Sequence, residues 1–286
     1  MLKQKPWLLY ALLTTLFWGV WGAFIELPEK NGFPATLGYI VWSLTMIPCA
    51  LVALRNAGWK LEVNSRAVMY GMLIGLTGAG GQLLLFEALR SGPAYIVFPF
   101  VSLYPVLTIA LSVFFLKERA NQKQWAGIIV SLAAIFFLSW QNPNDTHVQG
   151  LAWLALALMV FVAWAVQGYF LKVANEVMRA ESIFFYMALA SILLSPLAWM
   201  MTDFSRPINT GFNGPYLAAV IHLLNSIGAL MLVYAFRYGK AIVVSPMTGL
   251  APVLTILISL AVYGVVPGLM LATGILLACV AMWLLA

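Results

Sequence analysis

About ten apolar runs of roughly 18–25 residues fill almost the whole chain, and a run of that length crosses the hydrocarbon core of a bilayer as one helix. They fall at 6–26, 36–54, 67–89, 93–116, 122–140, 149–171, 180–201, 214–236, 240–264 and 268–286. Strands of a membrane β-barrel would be about ten residues long and would alternate apolar with polar; these runs do neither. Of the 286 residues 63% are hydrophobic and 8% charged, where a soluble domain carries roughly a quarter charged. No soluble core could hide that much apolar side chain. The expected fold class is an all-α integral membrane protein with ten transmembrane helices.

The polar segments between the runs are short, so no soluble domain fits among them. MLKQKPW is a short basic stretch, but the apolar run after it continues to Ile25 and ends without a small-x-small cleavage site. It reads as the first span rather than a signal peptide. Cys49 and Cys279 each lie in an apolar run, which implies no disulfide framework. Of the 15 Lys and Arg residues, all but Lys30, Arg90 and Arg206 fall on one side of the expected helices. The positive-inside rule then places both termini in the cytoplasm, in an inner or plasma membrane. The net charge of +6 follows from this asymmetry and needs no nucleic-acid partner.

The chain repeats itself. FEALRSGPAYIVFPFVSLYPVLTIALS (Phe86–Ser112) aligns without a gap on VYAFRYGKAIVVSPMTGLAPVLTILIS (Val233–Ser259). Arg90 meets Arg237, Gly92 meets Gly239, Pro99 meets Pro246 and Pro105 meets Pro252. Earlier, Trp18 and Gly22 in FWGVWGAF match Trp164 and Gly168 in AWAVQGYF. Shared Leu and Val would arise between any two membrane helices; matched Pro, Gly, Arg and Thr in register would not. The expected halves are 1–142 and 143–286, five helices each. An odd number sends the second half in from the opposite face, so the repeats are inverted, as in secondary transporters that bind substrate near the bilayer midplane.

On FWGVWG, ALRSGPAYIVFPFVSLYPVLT and FFLKER together with this five-plus-five repeat, the chain resembles the EamA-like members of the drug/metabolite transporter superfamily over nearly its whole length. The resemblance implies a central cavity lined by helices 1, 3, 4, 6, 8 and 9, with helices 5 and 10 at the periphery. It favours export and says little about substrate. One departure stands out: Glu118, which closes helix 4, faces Val265 in the second half, so no symmetric acidic pair is expected.

Trp18, Trp21, Trp164 and Gln167 are candidate substrate-binding residues, since indoles offer flat surfaces to aromatic or cationic solutes. An interfacial belt is the plainer reading and suits Trp21 best. Gln82 and Asn225 are amides within apolar helices, which must face protein or a watery cavity. Tyr104 has no equivalent, because Ala251 stands opposite, and so breaks the symmetry where a ligand could sit. Thr108 and Ser112, repeated as Thr255 and Ser259, suit helix packing better than binding. Gly71, Gly75, Gly78, Gly80 and Gly81 mark helix 3 as a close-packing surface. Glu87 and His222 are candidate proton sites, weighed against a local Glu87–Arg90 pair and a packed histidine. Pro99, Pro105, Pro246 and Pro252 are read as interior breaks that leave carbonyls free toward the cavity and let helices 4 and 9 pivot.

No metal-ligand spacing, paired acids at depth or nucleophile–base pair occurs, so no catalysis, cofactor or metal is expected. The reading is a secondary transporter moving a small neutral or amphipathic metabolite by alternating access. Its partners are that solute and the lipid, and a homodimer is admitted. An anionic sugar-phosphate or nucleotide-sugar exchanger is the alternative, with a channel or an intramembrane enzyme further behind.

Overall fold

The computed structural model describes residues 6–91, 97, 100–139, 152–263 and 268–286. Pro93 and Pro99 lie outside the described residues. Ten membrane helices follow one another: α1 (Pro6–Phe24), α2 (Ala35–Asn56), α3 (Ser65–Ser91), α4 (Tyr104–Phe115), α5 (Gln122–Ser139), α6 (Ala152–Val177), α7 (Ala180–Met200), α8 (Leu217–Tyr238), α9 in two pieces, α9a (Ala241–Thr248) and α9b (Ala251–Tyr263), and α10 (Leu269–Leu285). Seven stretches among the described residues are long and apolar enough to cross a bilayer unaided; Phe100–Phe115, Gln122–Leu138 and Leu269–Leu285 are shorter. α6 runs to Val177, beyond the expected end at 171, because a helix tolerates a polar last turn. There Lys172 pairs with Glu176 at i,i+4, and the Asn175 amide donates to Leu171 O.

The helices pack in corresponding pairs. α1 lies on α8 and α9b, as α6 lies on α3 and α4; α3 packs on α7 and α8 on α2; α2 crosses α7, and α5 crosses α10. At the α2–α7 crossing Ser43 and Ser195 share a 2.8 Å hydrogen bond. Both helices carry an interior proline, Pro48 and Pro196. Small residues set these close approaches. A side chain at Gly75 would strike Ala190 Cβ and the α7 backbone, so only glycine lets α3 and α7 meet there.

The two helix breaks are alike in detail. Leu103 N–H donates to Phe100 O at 3.3 Å and Val106 N–H to Leu103 O at 2.9 Å; Leu250 N–H donates to Met247 O at 3.3 Å and Val253 N–H to Leu250 O at 3.0 Å. Pro105 and Pro252 were expected in helix interiors. Each instead stands at the second residue of a new segment, α4 and α9b, where a missing N–H costs little. Pro246 does lie inside α9a. Among the described residues, neither break contributes to the lining of the cavity described below. Gly249 sits against Pro105 and Ile135, so the two breaks touch each other, and Thr15 of α1 donates to the Met247 carbonyl. A hydroxyl thus reaches the broken backbone from a neighbouring helix, as lipid surroundings require.

Each face has its own tie between the halves. On the basic face Glu62 accepts from the Arg179 N–H at 2.6 Å, and its carbonyl accepts from the Tyr186 hydroxyl at 2.7 Å. On the other face Asn209 donates through its N–H to Gly32 O and through Nδ2 to Asn31 O. A third tie lies on the basic face. Glu118, between α4 and α5, accepts from the N–H groups of Ala241 (3.1 Å) and Ile242 (2.9 Å), and Lys240 Nζ donates to Arg119 O at 2.7 Å. The carboxylate takes up donors that the first turn of a helix leaves unpaired. All eight residues of α9a are buried, so these donors have little access to water.

Burial pushes the Glu118 carboxyl above its usual range, against the pull of the two N–H groups and of Lys172 and Lys240. A raised folded-state pKa means that the stability tied to this group is full below about pH 4.3 and declines as pH rises through the folded value. The melting temperature of the detergent-solubilised protein should therefore fall relative to that of Glu118→Gln between about pH 4 and neutrality. Glu118→Ala should cost about 1–2 kcal/mol near pH 4, and less as pH rises toward neutrality. A difference between the parent and the Glu118→Gln protein that does not change with pH would contradict the buried-carboxyl account.

Candidate functional site

Helical spacing puts Thr14, Trp18 and Trp21 on one stripe of α1, and that stripe runs along α8. Thr14 Oγ1 donates to Gly228 O, Trp18 Nε1 to Asn225 O at 3.2 Å, and Trp21 Nε1 to His222 Nδ1 at 3.2 Å. Gly228 carries no side chain because the Trp18 indole lies where a Cβ would be. The same joint recurs between α6 and α3. Trp164 Nε1 donates to Gly78 O at 3.3 Å, and its indole fills the space over Gly81. The repeat alignment, carried back along α3 and α8, sets Gly78 opposite Asn225 and Gly81 opposite Gly228. Thr255 Oγ1 likewise donates to Gly19 O and Thr108 Oγ1 to Ala165 O, with Gly22 and Gly168 giving each threonine room.

The halves part company one turn further on. α3 presents Gly75 and Gly71 to Tyr186, Met187 and Ala190 of α7, and Gly78 to Gln167, and that region is filled. At the corresponding place α8 presents His222 and Asn225, and a cavity remains. It holds about 300 Å³ including its mouth and is lined by Trp21, Ile25, Tyr39, Trp42, Gln82, Phe86, His222 and Asn225. Ile25 and Phe86 lie toward the ends of α1 and α3 that point away from the basic face, so the cavity occupies that half of the thickness.

The lining is aromatic and carries no formal charge. Trp42 packs edge-on to Tyr39 at 5.2 Å, and its Nε1 is buried without a partner. The side-chain amides of Gln82 and Asn225 make no hydrogen bond among the described residues. His222 Nδ1 accepts from Trp21 and so keeps its lone pair; the neutral ring carries its hydrogen on Nε2. Among the described residues no group of His, Cys, Asp or Glu has the geometry of a metal site.

Of the residues singled out from the sequence, the structure brings Trp21, Gln82, His222 and Asn225 together at the cavity. Trp18 and Trp164 are occupied in the joints between halves. Tyr104 stands edge-on to Trp164 at 5.8 Å, and Gln167 lies on Gly78; neither lines the cavity. Glu87 is half-buried, engaged with a neighbour, and outside the lining. Pro105, Pro246 and Pro252 sit at the breaks described above. Ile25, Tyr39, Trp42 and Phe86 were not singled out. The usable signal was Tyr39 and Trp42 at i,i+3, which share a helix face in the half of α2 far from the basic side.

Fold and cavity together define a multi-pass helical membrane protein of two related halves around a space of small-solute size. The EamA-like transporter family matches both halves, residues 5–140 and 151–286, and the chain belongs to that family of membrane transporters. It is 23% identical to the protein LicB of Haemophilus influenzae over 280 residues, 88% of this chain and 94% of LicB. An uncharacterised protein of Methanocaldococcus jannaschii is 32% identical over 136 residues, 47% of this chain and 97% of that protein. Protein RarD of Streptomyces exfoliatus is 28% identical over 152 residues, 48% of this chain and 44% of RarD. A solved crystal structure shares the fold with a TM-score of 0.78 at 18% identity, over 96% of this chain and 97% of that one.

Equivalent joints should respond equally. Gly228→Ala and Gly81→Ala each drive a methyl into an indole, and each should destabilise by about 1–3 kcal/mol, the usual cost of overpacking. Thermal unfolding in detergent measures it; a neutral result at either glycine would contradict the joint drawn for that side.

Proposed function

We propose that this protein is a secondary transporter that carries a small neutral or amphipathic organic metabolite across the cell membrane by alternating access. The observation that carries the reading is the unequal state of two equivalent regions: one half-thickness holds the cavity and the other is closed on glycines. Exchange of those states between halves 1–142 and 143–286, taken as inverted five-helix repeats, would move a solute from one face to the other. With the basic face cytoplasmic by the positive-inside rule, both termini are inside and the cavity opens outward. Export is favoured by the family resemblance.

The contacting breaks at Leu103 and Gly249 are where the bundle would bend, with Pro105 beside Gly249 and Pro246 in the segment before it. A neutral or amphipathic solute is supported by the uncharged, aromatic lining, because an anion shut away without a counter-charge is costly. Among the described residues no Lys or Arg lines the cavity to support the anionic-exchanger reading.

Gly75→Val tests the exchange. The added side chain would meet Ala190 Cβ at 2.5 Å, Tyr186 O at 2.9 Å and Met187 Cα at 3.0 Å, so the basic half could not close as drawn. Flux of the metabolite in proteoliposomes should fall by about tenfold or more for a clash of a few kcal/mol. Unchanged flux in a folded Gly75→Val protein would contradict alternation at this seam.

A further inference from the structure

Every polar group that the cavity leaves unpaired belongs to one of two kinds. Trp42 Nε1–H and His222 Nε2–H can only donate. The amides of Gln82 and Asn225 can both donate and accept. Among the described residues no carboxylate lines the space, and neither does any ammonium or guanidinium. The donors also come from both halves: Trp42 and Gln82 from α2 and α3, His222 and Asn225 from α8.

The Trp42 N–H is the most informative of these. It is shut off from water with no partner, and an unmade hydrogen bond of this kind costs about 1–3 kcal/mol. Trp42 is itself a lining residue, so a guest that reaches this N–H supplies the missing bond. His222 Nε2 is kept accessible by its neighbour. A methyl on Gly38 would come within 3.2 Å of that nitrogen, so the bare glycine leaves the donor open.

The solute chemistry follows, and it rests on the transporter reading above. We infer that the cavity takes an uncharged molecule with a flat apolar body and a carbonyl-type acceptor, the acceptor bridging Trp42 and His222 and so tying the two halves together. The size is bounded too: about 40 Å³ of the space is open to the centres of water-sized groups, room for a few of them, so the cavity as it stands takes the acceptor end of a solute whose body lies in the mouth. Organic cations are disfavoured although the walls are aromatic. A cation gains from ring faces, but the groups left unpaired here include two N–H donors, and no acid stands among the described lining residues to compensate. Anions are disfavoured for want of a formal positive charge. The bridging geometry also links binding to motion, because the acceptor must hold helices of both halves at once.

The test uses three near-isosteric probes: nicotinamide (uncharged), 1-methylnicotinamide (cation) and nicotinate (anion). Each is titrated into the purified full chain in detergent by calorimetry. Nicotinamide should bind tighter than either charged probe by about tenfold or more, the worth of one good hydrogen bond. Trp42→Phe keeps an aromatic ring and removes the N–H, with some loss of packing because the ring is smaller. It should lose that preference for the uncharged probe. Gly38→Ala should weaken nicotinamide binding as well. Equal or tighter binding of a charged probe, no binding of nicotinamide, or an undiminished preference for nicotinamide in Trp42→Phe overturns the inference. Flux in proteoliposomes separates it from the transporter reading. Binding of nicotinamide without flux of any bound probe counts against transport and leaves the cavity chemistry standing. Flux of a charged probe alone does the reverse.

Discussion

Two indole hydrogen bonds hold the halves in register, and most of the bundle is arranged around them. Trp18 donates to the Asn225 carbonyl and Trp164 to the Gly78 carbonyl. In each case the ring occupies a place that a glycine, Gly228 or Gly81, leaves empty. In a bilayer there is no gain from hiding apolar surface between helices, so association has to come from close packing and from hydrogen bonds. A large flat ring on a glycine supplies the first, and its N–H supplies the second. Thr255 on Gly19 O and Thr108 on Ala165 O do the same work one helix further out.

With the joints fixed, the difference between the two sides comes down to a few side chains. Gly71, Gly75 and Gly78 let α3 close on α7 and α6. His222 and Asn225, at the places matching Gly75 and Gly78, keep α8 apart from α2 and α3. The cavity is thus a by-product of unequal residues on an equal frame. Its described lining holds amides and an imidazole, groups that tolerate partial burial at less cost than formal charges do.

The helices and the duplication were legible in the sequence because both leave long signals. Ten apolar runs set the spans, and Pro, Gly and Thr in register gave the repeat. The site was legible only in part. Trp18 and Trp21 look alike in FWGVWG, yet three residues of helical rotation put one into a joint and the other on the cavity. Nothing local distinguishes them; the difference lies in Gly228 and His222, some two hundred residues away. Pro105 and Pro252 misled for a related reason. An apolar run hides a break, and a proline that opens a new segment looks like one that kinks a continuous helix. The ties through Glu62, Asn209 and Glu118 could not be read from spacing, because each reaches backbone groups of distant loops.

The Glu118 cap has a consequence for how such a carrier would behave from its two sides. The repeat gives the two faces the same joints, but only the basic face has a carboxylate fastened to the start of α9a. An unloaded carrier so fastened would not divide its time evenly between its two orientations. Such a bias leaves the final concentration ratio across the membrane untouched, since that is set by the driving gradient. It does change the apparent half-saturation on each side, because a solute meets a receptive site only in the fraction of molecules facing it. The favoured side would saturate at low concentration and the disfavoured side at high, from one acid that the duplication did not copy.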